Sequence, residues 1–299
     1  MTKPNYRDGY SDELTTNCER VLVTLLNGLG PWKESVCLVG GLVPRYLVPD
    51  RPPVVPPHAG TNDVDIAVEL EVLSDTNAYA SLEENLRKMG FSPWTNPKGN
   101  SVLWRWKKVT DDGETILIEF LADHPKKRGG KVSELPTEGR VAALNIPHSS
   151  IVFDMHDSKN ITAELYHGDG HATENIRYAN LVAFVCLKAL AMDQRAERKD
   201  AHDLVYCVEY APGGITTAAE LINAALKGKH RAIVRRSLTI LSKKFIGDGS
   251  VEPHMMNGPV AVAKFELGED PALAESRILR QREVSVLIGD LLAATLGVE

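Results

Sequence analysis

Hydrophobic residues recur at helical spacing near the start of the chain. Leu14, Cys18, Val21, Leu22, Leu25 and Leu29 fall on one face behind Ser11, a residue suited to cap a helix N-terminus. Gly28, Gly30 and Pro31 end that helix. A short apolar run at 36–39 stops at Gly40-Gly41, which predicts a strand followed by a glycine turn, and 42–48 can start a helix. Five prolines mark 49–60 as a loop. Strand character returns at 63–70, and a helix is predicted around 79–89, closed by Gly90. Val102, Trp104 and Trp106 alternate with Leu103, Arg105 and Lys107. After the Asp112-Gly113 turn, Ile116, Ile118 and Phe120 alternate with Leu117, Glu119 and Leu121. Period-two alternation on both sides of a turn predicts a β-hairpin.

Residues 141–166 have the look of further short strands, 167–173 that of a Gly/His/Asp linker, and the chain from 174 onward that of helices. The expected class is α/β (α+β), a mixed sheet with flanking helices over 1–172 followed by a mostly helical domain over 173–299.

Composition narrows the classes. With 299 residues and 43% hydrophobic content the chain can bury one large core or two ordinary ones. A net charge of -6 argues against a globally basic nucleic-acid binder, though not against a local basic face. Cys18, Cys37, Cys186 and Cys207 sit in apolar runs without C-x-x-C spacing, so they read as reduced, buried thiols of a cytoplasmic protein. The polar first twelve residues lack the apolar core of a signal peptide. No stretch approaches about 18 uninterrupted apolar residues, so no membrane partner is expected.

The chemistry centres on Asp63 and Asp65. Two apart on a strand, they point to the same face and repel each other unless a cation sits between them. Magnesium suits a few carboxylates plus substrate phosphates. A lone D-x-D is also what a solvent-facing strand edge carries. Gly40 and Gly41 let a backbone approach phosphate, or simply make a tight turn. Glu119 lies in an otherwise apolar run, where a carboxylate is costly unless it faces a metal or water. Lys188 falls on the apolar stripe of Leu181, Phe184, Val185 and Met192, and so needs an anionic partner or a path to solvent. Asp200 and Asp203 flank the buried stripe of the next helical segment, placed to orient Lys188 or a substrate.

The order V-G-G-L-V-P-R, T-N-D-V-D-I, I-E-F, K-A-L-A and R-K-D-A-H-D-L resembles the AbiEii/MenT-type nucleotidyltransferases of the DNA-polymerase-β-like superfamily, over about residues 36–208. The resemblance implies a polymerase-β-like sheet followed by a helical domain, and transfer of an NMP from an NTP to an acceptor hydroxyl. Some members are toxins of toxin–antitoxin pairs, and some of these modify the tRNA 3′ end. Carried over by motif, Gly40, Gly41 and Arg45 would contact phosphate. Asp63, Asp65 and, less closely matched, Glu119 would hold two Mg2+ ions. Lys188, Lys199, Asp200 and Asp203 would complete the nucleotide site. The proline-rich loop between the glycines and the acids departs from the pattern by its length.

The acceptor is open. Lys227, Lys229, His230, Arg231, Arg235, Arg236, Lys243 and Lys244 fall in 227–244 with no acid among them, and Lys126, Lys127, Arg128 and Lys131 form a second cluster. Both suit an RNA acceptor, and both also suit the solvated face of a helix or loop. A small-molecule (antibiotic) or protein nucleotidyltransferase, and a catalytically silent nucleotide-binding member, are the alternatives. An antitoxin partner is implied only by the resemblance. His148, His156, His167 and His171 read as surface and linker residues rather than ligands. Ser149-Ser150 lacks the context of a nucleophile elbow. Trp94, Trp104 and Trp106 suit packing on the sheet or stacking on a base.

Overall fold

A computed structural model of the protein describes residues 4–69, 82–110, 113–124, 126–135, 141–166 and 170–295. Asp112, His167 and the start of the helix expected around 79–89 lie outside them. The chain is of mixed α/β class and forms two compact units. One comprises Ser11–Val43 and Gly60–Ala179, the other Met1–Tyr10, Pro44–Ala59 and Asn180–Glu299.

The first unit is built on one nine-stranded mixed sheet. Its strands are β1 (Val36–Val39), β2 (Asp63–Val68), β3 (Ser92–Thr95), β4 (Ser101–Val109), β5 (Thr115–Ala122), β6 (Val132–Glu134), β7 (Ala142–Asn145), β8 (His156–Glu164) and β9 (His171–Ala179). The main order is β3-β4-β5-β2-β1-β9-β8, with β7 also paired to β5 and to β6. β4 and β5 form the expected antiparallel pair, joined through Gly113 at φ 80°. β1 runs antiparallel to β2, and β2 runs parallel to β5. Helix α1 (Asp12–Leu29) is capped by the Ser11 side chain, which accepts from the Leu14 N–H at 3.0 Å. Its apolar stripe packs on β2, β8 and β9.

The sequence pattern places helix from 174 onward, but residues 171–179 form the last strand, paired along its length with β8. Residue 172, the expected domain boundary, therefore lies inside β9, and the helical unit resumes at Asn180. Alternation in 171–179 is weak because β8 and β9 form a largely wet ribbon at the sheet edge. A hairpin held mostly by backbone pairing leaves little hydrophobic signal.

The second unit holds α2 (Pro44–Leu47), α5 (Leu181–Gln194), α6 (Arg198–Tyr210), α7 (Gly214–Ala225), α8 (Arg231–Leu241), α9 (Asn257–Leu267) and α10 (Ala274–Ala294). The short helices α3 (Leu82–Lys88) and α4 (Ile151–Asp154) belong to the sheet unit. Asn180 caps α5 by accepting from the Ala183 N–H at 3.0 Å. α5 is buried on nearly every face, so its apolar residues form a cylinder rather than the single stripe the spacing suggested. It packs on α6 and α8, and α6 packs in turn on α9. Each of its buried aliphatic or aromatic side chains contributes about 1.5–3 kcal/mol to this unit. Among the described residues no helix is long and apolar enough to cross a membrane. All four cysteines are buried free thiols, and burial raises the Cys37 thiol to about 12 and Cys186 to about 11.

Candidate functional sites

The sequence-predicted residues divide between the units. Gly40, Gly41, Asp63, Asp65 and Glu119 belong to the sheet unit; Arg45, Lys188, Lys199, Asp200 and Asp203 belong to the helical unit.

In the sheet unit, β1 runs into Gly40, whose φ of 73° lies in the left-handed region. A Cβ added at Gly40 would lie 1.8 Å from Asp65 Oδ2. Only a glycine therefore lets the turn and this carboxylate share the space. Asp65 pairs in register with Val39 on β1 and with Glu119 on β5. Paired residues of neighbouring strands point to the same side of the sheet, so Asp65 and Glu119 share a face. Asp63 shares it too, two residues earlier on β2. Val64 and Ile66 face the other way and are buried.

Each of these acids already has a neighbour. Asp63 Oδ1 accepts from the Thr61 hydroxyl at 2.7 Å. Glu119 Oε1 lies 2.5 Å from Arg105 Nη2, and Arg105 sits opposite Glu119 on β4. The Arg105 guanidinium lies 5.1 Å from the Trp94 ring centre and 4.6 Å from that of Trp104. Trp94 and Trp104 thus flank the Arg105 cation, while Trp106 is fully buried in the core with Arg87 over its ring. Arg105 and Glu119 face each other directly across the hairpin, and the lone basic residue between Trp104 and Trp106 is the signal that would have found the pair.

In the helical unit, Lys188 is buried and its ammonium donates to Asp200 Oδ1 at 2.9 Å and Asp203 Oδ2 at 2.7 Å. Burial disfavours its charge, but Asp203 and Asp200 outweigh that and hold the ammonium above its ordinary value. Asp203 is fully buried. Lys199 Nζ reaches both of its oxygens, at 2.8 and 2.9 Å. Burial pushes the Asp203 carboxyl up, and Lys188 and Lys199 bring it well below the usual carboxylate range. Burial likewise opposes ionisation of Asp200, yet Lys188 and Arg195 lower it to about 2. Arg195 donates to both Asp200 oxygens, at 2.7 and 3.0 Å. The anionic partner that the sequence demands for Lys188 is thus present inside the protein.

The network extends to residues that the sequence did not single out. His58, from the proline-rich segment, brings Nε2 to 2.9 Å from Asp203 Oδ1. Burial outweighs that carboxylate and lowers His58 to about 3, so its ring is neutral. His202 on α6 places Nδ1 3.0 Å from Glu266 Oε1 on α9. Arg280 on α10 donates to Glu266 at 2.7 Å and to Glu209 at 2.8 Å. Burial raises Glu266, while hydrogen bonds from His202 and Arg280 lower it to about 2. The segment carrying His58 is fastened further by the Tyr206 hydroxyl to the Pro56 carbonyl at 2.9 Å and by Arg7 to the Pro57 carbonyl at 2.6 Å. His171, on β9, is exposed.

The two basic clusters expected from the sequence lie on the surface. On α8, Arg231, Arg235 and Arg236 are exposed while Ile233, Val234, Leu238 and Leu241 are buried, and Lys227 and Lys229 precede it, also exposed. Lys126, Lys127, Arg128 and Lys131 form a second exposed stretch on the loop before β6. Comparison with protein-family models and with curated protein sequences finds no match.

Proposed function

We propose that the protein is a metal-dependent nucleotidyltransferase of the polymerase-β-like type, moving an NMP from an NTP to an acceptor hydroxyl. One observation carries this reading: Asp65 lies against Gly40, the left-handed glycine that ends β1, and stands in register with Glu119. A phosphate-approaching glycine turn and a face of carboxylates from adjacent strands are the parts that such transfer requires. The donor set is all oxygen, which fits Mg2+. Asp63, Asp65 and Glu119 would hold the ions, which supply charge neutralisation at the α-phosphorus. The antiparallel β1–β2 and parallel β2–β5 arrangement is consistent with the polymerase-β-like sheet. RNA is the acceptor class favoured by the basic face of α8, and an antitoxin partner follows from the resemblance alone.

A second reading, a nucleotide-binding protein that carries out no transfer, is favoured by Arg105, which neutralises Glu119. Incubation with Mg2+, each labelled NTP and total RNA or protein distinguishes the two. The expected result is label transferred by the wild type and lost in Asp65→Asn, with the circular dichroism of the two chains superimposable. NTP binding without transfer in the wild type would establish the second reading, and transfer undiminished in Asp65→Asn would overturn the first.

A further inference from the structure

The helical unit contains a set of donors of which the nucleotidyltransferase reading uses only Asp203. One ring nitrogen each of His58 and His202 and a carboxylate oxygen of Asp203 lie within 4.8 Å of one another. His202 is 2% exposed, and its Nε2 is buried with no hydrogen-bond partner among the described residues. Leaving a buried nitrogen unsatisfied is costly, so something is expected to occupy it. The other nitrogen explains what. Nδ1 lies 3.0 Å from Glu266 Oε1, which fixes the ring and leaves Nε2 as the nitrogen without a partner. A carboxylate behind a histidine is how metal-bound imidazoles are oriented.

We infer that His58, His202 and Asp203 form a binding site for a divalent transition metal of the zinc class. Two imidazoles and one carboxylate suit Zn2+ and disfavour Mg2+, which prefers oxygen donors alone. The ion would take the place of the proton shared between His58 Nε2 and Asp203 Oδ1. Lys199 also reaches Oδ1, and on binding it would keep its second contact, to Oδ2, beside Lys188. The surrounding charges are compatible with the ion: Lys188, Lys199, Arg195 and Arg280 face Asp200, Asp203, Glu266 and Glu209, so the network is neutral before the metal enters. Neighbouring rings set its shape. His58 and His202 stack with centroids 5.4 Å apart, and Phe265 and Tyr206 wall them in. The consequence is a clamp joining the proline-rich segment Pro44–Ala59 to α6, independent of the carboxylates on β2 and β5.

The test is metal binding by the full chain without nucleotide. Zn2+ is titrated in competition with a chromophoric chelator, and Co2+ replaces it for visible spectroscopy. One tight equivalent per chain is expected, with d–d bands of a nitrogen/oxygen site and no near-ultraviolet thiolate band from the cysteines. His58→Gln and His202→Gln should each abolish that equivalent, and Glu266→Gln should weaken it by about 10- to 100-fold. His58 is the safer substitution because its side chain is 12% exposed, so a folded variant is expected even if His202→Gln does not fold. Absence of a tight equivalent in the folded wild type, a thiolate spectrum, or unchanged affinity in His58→Gln would overturn the site.

Discussion

Lys188 is the residue on which the helical unit turns. Its ammonium separates two buried carboxylates that would otherwise confront each other, so its removal exposes Asp200 and Asp203 to mutual repulsion as well as leaving them undersatisfied. Breaking a buried ion group by deleting one partner costs about 3–5 kcal/mol. Lys188→Ala should therefore lose stability of that order in denaturant unfolding at neutral pH, and a change below about 1 kcal/mol would show that Lys199 and Arg195 alone neutralise the pair. The bond between Lys188 and the two acids was legible in the sequence. Both helices lie within a short stretch, and a lysine on an apolar stripe calls for an anion. His58 was not legible, because its partner Asp203 is 145 positions away and its own surroundings are a run of prolines. His202 was hidden for the same reason: nothing near it in sequence points to Glu266, 64 positions on. Local periodicity reports which face is buried; it does not report which distant polar groups meet there.

At the scale of elements, the long periodic ones were the legible ones. The capped first helix, the β4–β5 hairpin and the amphipathic helices α6 and α8 carry their period in contiguous sequence. The β8–β9 ribbon does not, since a half-solvated edge hairpin is specified by backbone pairing more than by apolar alternation. α8 shows what patterning leaves open. Its buried face is fixed by Ile233, Val234, Leu238 and Leu241, but its basic face satisfies both a solvated helix and a polyanion contact. Arg235→Glu with Arg236→Glu should change folding stability by no more than about 0.5 kcal/mol, as exposed positions do. If the face binds RNA, the same variant should bind more weakly and lower the slope of log affinity against log salt by about 2. Unaltered RNA affinity measured by filter binding across a salt series would leave α8 as a solvated helix only.

At the scale of the whole molecule, the two compact units report through different probes. All four tryptophans, Trp32, Trp94, Trp104 and Trp106, belong to the sheet unit, whereas the helices after 180 belong to the other. Equilibrium unfolding in urea should therefore give non-coincident transitions by tryptophan fluorescence and by circular dichroism at 222 nm. Multi-unit chains depart from two-state behaviour in this way. Coincident curves would mean that the units unfold as one cooperative body.

The clamp segment Pro44–Ala59 has a further consequence, in the order of synthesis. It leaves the ribosome well before the helices to which it belongs, which begin at Asn180. For more than a hundred residues of translation it has neither the Tyr206 hydroxyl to donate to its Pro56 carbonyl nor Asp203 to pair with His58. The nascent sheet strands emerge during that interval with a proline-rich tether between β1 and β2. Prolines donate no backbone hydrogen bonds and resist joining a growing sheet, so the composition of this segment keeps it out of premature strand pairing until its own helices arrive.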